Sequence, residues 1–140
     1  MKISEEWNQE ESDYIREKVI AHNMNFLPPE VKHPLKKFGF ILKDSEGSIK
    51  GGITGTMFWY HLHIDFLWVD QSIRHQGFGK ELLRRLEAAA EESGCRLILL
   101  DTFSFQAPGF YQKYGYSITG KVEDHPKGFC QYFLEKRTVK

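Results

Sequence analysis

The chain carries no excess charge of either sign, since 19 Lys and Arg balance 19 Asp and Glu. That balance argues against nucleic acid or an anionic membrane as an obligatory partner, because both are held mainly by clustered cations. No apolar run approaches the roughly 20 residues that a membrane-spanning helix needs. The opening Met1-Lys2-Ile3-Ser4-Glu5-Glu6 lacks the apolar stretch of a signal peptide, so a cytoplasmic protein is expected. Only two cysteines occur, Cys95 and Cys130. They are too few for a disulfide scaffold, and in a chain without a leader they are expected to be buried free thiols. Internal repeats, low-complexity tracts and domain linkers are all missing. One domain spanning residues 1–140 is therefore expected.

What is present concentrates between His63 and Gly94. His63-Ile64-Asp65-Phe66-Leu67-Trp68-Val69 alternates polar and apolar residues at first, then turns continuously apolar. That pattern predicts a strand running into a buried sheet. Asp70, Gln71 and Ser72 break the run. Beyond them Phe78, Leu82, Leu83, Leu86, Ala89 and Ala90 fall at helical spacing with one buried face, and Gly94 stands where a left-handed cap ends a helix. Arg74-His75-Gln76-Gly77-Phe78-Gly79 joins strand to helix. Glycines there allow close approach to the backbone, and the first N–H groups of a helix have no intrahelical partner. With the positive end of the helix dipole behind them, they suit a diphosphate. A glycine pair before a helix also makes a plain turn, so this feature needs support from elsewhere.

Support comes from Asp101-Thr102-Phe103-Ser104-Phe105-Gln106-Ala107-Pro108-Gly109-Phe110-Tyr111-Gln112-Lys113-Tyr114-Gly115-Tyr116. The apolar strand, the Arg-x-x-Gly-x-Gly turn, the Leu-Leu helix and this later block together resemble the acyl-CoA-binding core of the GNAT superfamily of N-acetyltransferases. The likeness covers roughly the C-terminal half of the chain. It implies acetyl transfer from acetyl-CoA to a primary amine by direct attack, with a catalytically silent CoA-binding module as the alternative. It also implies that Arg74, His75, Gln76, Gly77, Phe78, Gly79 and Lys80 surround the pyrophosphate. Backbone groups of Leu67 and Val69 would pair with the pantetheine arm. Ser104 stands where the family often has a cofactor-contacting asparagine, so the resemblance implies a shorter hydroxyl in place of that amide. A nucleotide-binding unit of Rossmann type fits less well, because the glycines follow a meander and not an opening strand–helix–strand unit.

The remaining chain predicts a helix over residues 10–22, ended by Pro28-Pro29, then an ambiguous stretch over 30–37. Strands are expected over 38–43, 48–60 and 61–69, with Gly51-Gly52 and Gly55 marking a bulge or a close approach. After the helix come a short apolar strand over 96–100, a short helix over 107–114 capped by Gly115, and two strands over 116–122 and 128–136. The expected architecture is α/β: a mixed, mostly antiparallel sheet with helices on both faces. The crossover through the glycine-flanked helix should make its two neighbouring strands parallel, and the resemblance implies that this pair splays apart.

Tyr111 is the candidate acid for the departing thiolate by resemblance; a packing aromatic is the plainer alternative. His61, His63 and Asp65 alternate, so all three should project from one strand face. His63 matches the position where histone-acetylating members of the superfamily carry a glutamate base. Asp65 or ordered water are the competing bases, and Asp101 could recruit a cationic amine or cap the next turn. Arg74 could face a phosphate or solvent. No metal is expected, because nothing converges on the His61-x-His63-x-Asp65 face by sequence logic. The acceptor is left open as a small-molecule or peptide amine, and a homodimer is compatible with all of this.

Overall fold

The computed structural model describes residues 1–138. It divides into two compact units, residues 1–33 and residues 34–138. The first contains helix α1, Gln9–Met24. Asn8 caps it by accepting from the Glu11 N–H at 2.8 Å, while Glu10 and Glu11 lie in the first turn, where the helix dipole favours anions. Pro28 and Pro29 prevent continuation, and a short 3₁₀ turn over Pro29–Val31 follows.

The second unit is a six-stranded sheet: β1 (Lys36–Lys43), β2 (Ile49–Phe58), β3 (His61–Val69), β4 (Leu97–Phe103), β5 (Ser117–Glu123) and β6 (Cys130–Arg137). Their spatial order is β1-β2-β3-β4-β6-β5. Every pairing is antiparallel except β3 with β4. Helix α2, Phe78–Glu92, crosses between those two parallel strands and lies against β1, β2 and β3. It buries Leu82, Leu83, Leu86 and Ala90 against Ile53, Leu62, Ile64 and Ile98. Gly94 ends it at φ 88°, and the N–H of buried Cys95 turns back to the Ala90 carbonyl at 2.9 Å. Both cysteines are free, Cys95 buried and Cys130 partly so. The short helix α3, Pro108–Lys113, precedes the β5–β6 hairpin.

One irregularity organises the sheet. Thr54 pairs with Phe66, yet the next residue, Gly55, pairs with Ile64, so β3 carries one extra residue at Asp65. A bulge of this kind bends the strand and shifts the alternation of its side chains. Before it, Leu62 and Ile64 are buried; beyond it, Leu67 and Val69 pack on the core while Phe66 and Trp68 are 78% and 47% exposed. The continuously apolar run therefore does not enter a buried sheet, and half of it faces outward.

The close approaches expected of the β2 glycines are present. A Cβ on Gly51 would lie 2.9 Å from the Trp68 carbonyl oxygen, whereas one on Gly39 would meet nothing nearer than 3.9 Å. Gly51→Ala should therefore cost about 1–3 kcal/mol, while Gly39→Ala should be neutral or slightly stabilising. Urea unfolding of the two variants provides the check, and equal midpoints would mean that β2 and β3 do not approach so closely.

Candidate active site

The parallel pair β3–β4 is short. His61 pairs with Leu97, Leu62 with Ile98 and His63 with Leu99, and there the ladder stops. Beyond it β4 keeps pairing with β6 out to Phe103–Gln131. From Ile64 to Val69 the β4-facing edge of β3 is therefore open, and a cleft of about 900 Å³ fills the wedge. Leu67, Val69, Arg74, His75, Gly77, Phe78, Gly79, Lys80, Phe110, Tyr111 and Lys113 are among the residues lining it.

At one end of the cleft the chain turns into α2. Asp70 caps the turn over Gln71–Ile73 by accepting from the Ser72 hydroxyl and N–H, which holds its carboxyl below the ordinary range. The Arg74 guanidinium donates to the Val69 carbonyl at 3.1 Å, so it braces the end of β3 as well as lining the cleft. His75 at φ 65° and Gly77 at φ 88° bring the backbone round to the helix start. Among the described residues the N–H groups of residues 75–80 have no hydrogen-bond acceptor, the first helical bond being Glu81 N–H to the Gly77 carbonyl. That row of donors, with Arg74, Lys80 and Lys113 also on the cleft wall, suits a polyanion. Gly77 is there for its conformation, since a Cβ would meet open space. Gly79 faces the Phe110 ring at 3.5 Å.

Tyr111 lies deeper in the cleft, on α3. Its ring packs edge-on against Phe110 and Tyr116, and nothing among the described residues hydrogen-bonds its hydroxyl. Burial pushes the phenol up to about 12. The α3 terminus is pinned by Lys136, which donates to the Tyr114 carbonyl at 2.8 Å and to Glu87 at 2.9 Å. The Tyr116 hydroxyl donates to the same Glu87 oxygen, and burial together with that carboxylate drives its phenol far above the ordinary range.

On the sheet face turned away from α2, a polar chain crosses five strands. Lys37 on β1 donates to the Thr56 hydroxyl at 3.0 Å, and Thr56 donates to Asp65 Oδ2 at 2.6 Å. His63 Nδ1 stands 2.8 Å from Asp65 Oδ1, and His63 Nε2 stands 3.3 Å from Asp101 Oδ1. Gln131 on β6 donates to Asp101 Oδ2 at 3.1 Å. An ionised carboxylate only accepts, so the short contact places the proton on Nδ1 and leaves the Nε2 lone pair toward Asp101 in the neutral ring. A second cavity, about 630 Å³, is lined by Lys37, Phe38, Thr54, Gly55, His63, Asp65, Phe66 and Asp101. Asp65, Phe66 and Asp101 line both cavities, which meet there.

The expected residues thus separate. His63 and Asp65 touch and share a face; His61 is tied instead to the Phe58 carbonyl and ring at the β2–β3 turn. Ser104 does not line the cleft; it accepts from the Cys130 N–H and staples β4 to β6. Gln76 lies outside the lining as well. Asp101 does not cap the following turn, because the Gln106 side chain does so by accepting from Thr102 and Phe103. Thr56, Gln131, Glu87 and Lys136 were not singled out from sequence, since only strand register and, for Glu87, the packing of α2 bring them to their partners. Among the described residues no cluster of three metal-binding side chains occurs, and no helix is long and apolar enough to cross a membrane.

Residues 3–116 match the profile of the acetyltransferase (GNAT) family. A blasticidin-S acetyltransferase from Streptomyces morookaense is 40% identical over 104 residues, 74% of this chain and 76% of that protein. The 1.9 Å crystal structure of an acetyltransferase from Bacillus cereus ATCC 14579 is 57% identical, covers 97% of both chains and superposes with a TM-score of 0.93. A Bacillus anthracis acetyltransferase solved with acetyl coenzyme A has the same fold at 23% identity and a TM-score of 0.65, over 77% of this chain and 65% of that one.

The buried phenol has a measurable consequence. With Tyr111 near 10.0 in the unfolded chain and about 12 in the fold, the folded state keeps a proton that the unfolded state loses between those values. Its contribution is constant below pH ~10 and becomes unfavourable as pH rises through that window. Relative to Tyr111→Phe, the wild type should lose up to about 2–3 kcal/mol of stability across it. A difference that does not change with pH would show that the phenol is not desolvated.

Proposed function

The chain belongs to the acetyltransferase (GNAT) family, and we propose that it transfers an acetyl group from acetyl-CoA to the primary amine of a small molecule by direct attack in a ternary complex. The observation that carries this reading is the meeting of two cavities at Asp65, Phe66 and Asp101, one ending on a row of open N–H groups and the other on a polar sheet face. The first suits a long anionic donor and the second a basic acceptor. The open N–H groups of residues 75–80 with Arg74, Lys80 and Lys113 would hold the pyrophosphate. The free edge of β3 from Ile64 to Val69 would pair with the pantetheine as a short extra strand.

In the transfer, the amine nitrogen attacks the thioester carbonyl, the carbon–sulfur bond breaks, and sulfur leaves as a thiolate. Tyr111 would supply the proton that sulfur takes. A phenol near 12 stays protonated throughout the neutral range, so the donor is always loaded. His63 would take the proton that the amine gives up, at Nε2, while Asp65 orients the ring through Nδ1. Asp65 is then a positioning residue and not a rival base. The name of the Streptomyces relative supports a small-molecule acceptor over a protein. The free thiols and the choice of donor support action in the cytoplasm.

Thiol release from acetyl-CoA with a panel of primary amines tests the activity; release with none of them would overturn it. Tyr111→Phe should leave CoA affinity intact and lower kcat by about 10²-fold or more, and a rate within about twofold of wild type would return Tyr111 to packing. His63→Ala should lower kcat by about 10²-fold while CoA affinity is kept, and Asp65→Asn should lower it in the same direction by loosening the ring. If both variants keep the wild-type rate, water carries the proton.

A further inference from the structure

Asp101 has no role yet in the transfer, and its setting is unusual. It follows the apolar run of β4, where a carboxylate commonly caps the next turn, but Gln106 already does that. Instead Asp101 faces the junction of the two cavities with its side chain 36% exposed. Among the described residues no lysine or arginine pairs with it; its partners are the His63 ring and the Gln131 amide. The one lysine lining the acceptor cavity, Lys37, donates to Thr56 at the other end of the polar chain. Asp65, also on the wall, spends its two oxygens on His63 and Thr56. Of the two carboxylates on this cavity wall, the one without a close hydrogen-bonded hydroxyl thus stands where donor and acceptor must meet, beside Phe66, which is 78% exposed. An anion beside an aromatic surface is a seat for an organic ammonium group.

We propose that Asp101, steered by Gln131, receives the acceptor's ammonium group, and that the acceptor is a cationic amine on an apolar or aromatic framework lodged against the exposed Phe66. This deepens the acetyl-transfer reading and rests on it for the identity of the second cavity. Asp101 and Phe103 lie on one face of β4, and Gln131, opposite Phe103, reaches Asp101 across the diagonal of the β4–β6 ladder. Gln131 is therefore a positioning residue that fixes one carboxylate oxygen and leaves the other directed at His63. The ammonium then lies within reach of Nε2, and once the proton has moved, the long Asp101–His63 contact becomes a charge-assisted hydrogen bond to the imidazolium.

The test is a binding measurement without chemistry. Benzylammonium and its neutral counterpart benzyl alcohol are titrated into the protein, free and saturated with CoA, and followed by amide chemical shifts. Benzylammonium should bind at least about tenfold more tightly than the alcohol. Asp101→Asn should bring the two within about twofold, Asp101→Glu should retain most of the preference, and Gln131→Met should lose part of it without altering the binding of the alcohol. No preference in the wild type, or one that survives Asp101→Asn, overturns the proposal. Failure of CoA to bind would instead remove the acetyl-transfer reading, while the titration of the free protein would still decide the ammonium site.

Discussion

The extra residue at Asp65 is the constraint on which the site depends. Without it β3 would keep its alternation, Phe66 and Trp68 would turn inward, and Leu67 and Val69 would leave the core. With it, the strand bends just after the three parallel pairs to β4, and the wedge opens where the ladder ends. The same bulge puts the Asp65 carboxylate within 2.6 Å of the Thr56 hydroxyl and 2.8 Å of the His63 ring. One backbone irregularity thus creates the cleft and orients the polar group at its meeting point with the second cavity. It is accommodated because Gly55, opposite it, has no side chain: a Cβ there would stand 3.0 Å from Leu62 and 3.1 Å from the His63 carbonyl oxygen.

The opposite wall of the cleft needs its own support, since α3 is only six residues long and could not persist on propensity alone. Lys136 supplies it. Its ammonium satisfies the Tyr114 carbonyl at the helix end, where a cation is favoured, and pairs with Glu87 on α2. Tyr116 completes the cluster from the start of the following hairpin. Breaking such a partly buried pair by removing one partner leaves an uncompensated charge, so these residues act as a unit and tie α2, α3 and β6 together. Tyr111 inherits its position from that unit, which explains how a buried ring whose hydroxyl has no hydrogen-bond partner among the described residues is held at the cleft.

Much of this was legible from residues that punctuate the chain. Gly94 and Gly115 mark helix ends at φ 88° and 97°, Asp70 with Ser72 marks the turn into α2, and the apolar spacing of Leu82, Leu83 and Leu86 gives the buried helix face. The parallel pairing of β3 and β4 followed from the helical crossover between them. What was hidden depends on register. A bulge at Asp65 cannot be read from Ile-Asp-Phe-Leu-Trp-Val, because an apolar run reads alike whether it is buried on both faces or shifts phase midway. Thr56, Gln131 and Lys136 look like ordinary strand polar residues until the pairing of β2 with β3 and of β4 with β6 sets them beside their partners. Ser104 shows the converse: a residue that departs from the family's asparagine bonds across to Cys130.

The central claim is that the donor occupies the wedge between β3 and β4 with its phosphates on the turn into α2. Amide chemical shifts and hydrogen exchange, recorded as CoA is added, test it residue by residue. The N–H groups of residues 75–80 should shift most and gain protection, together with the open β3 edge from Ile64 to Val69, while β1 and β5 stay unchanged. Perturbation confined to other elements, or none at saturating CoA, would contradict it.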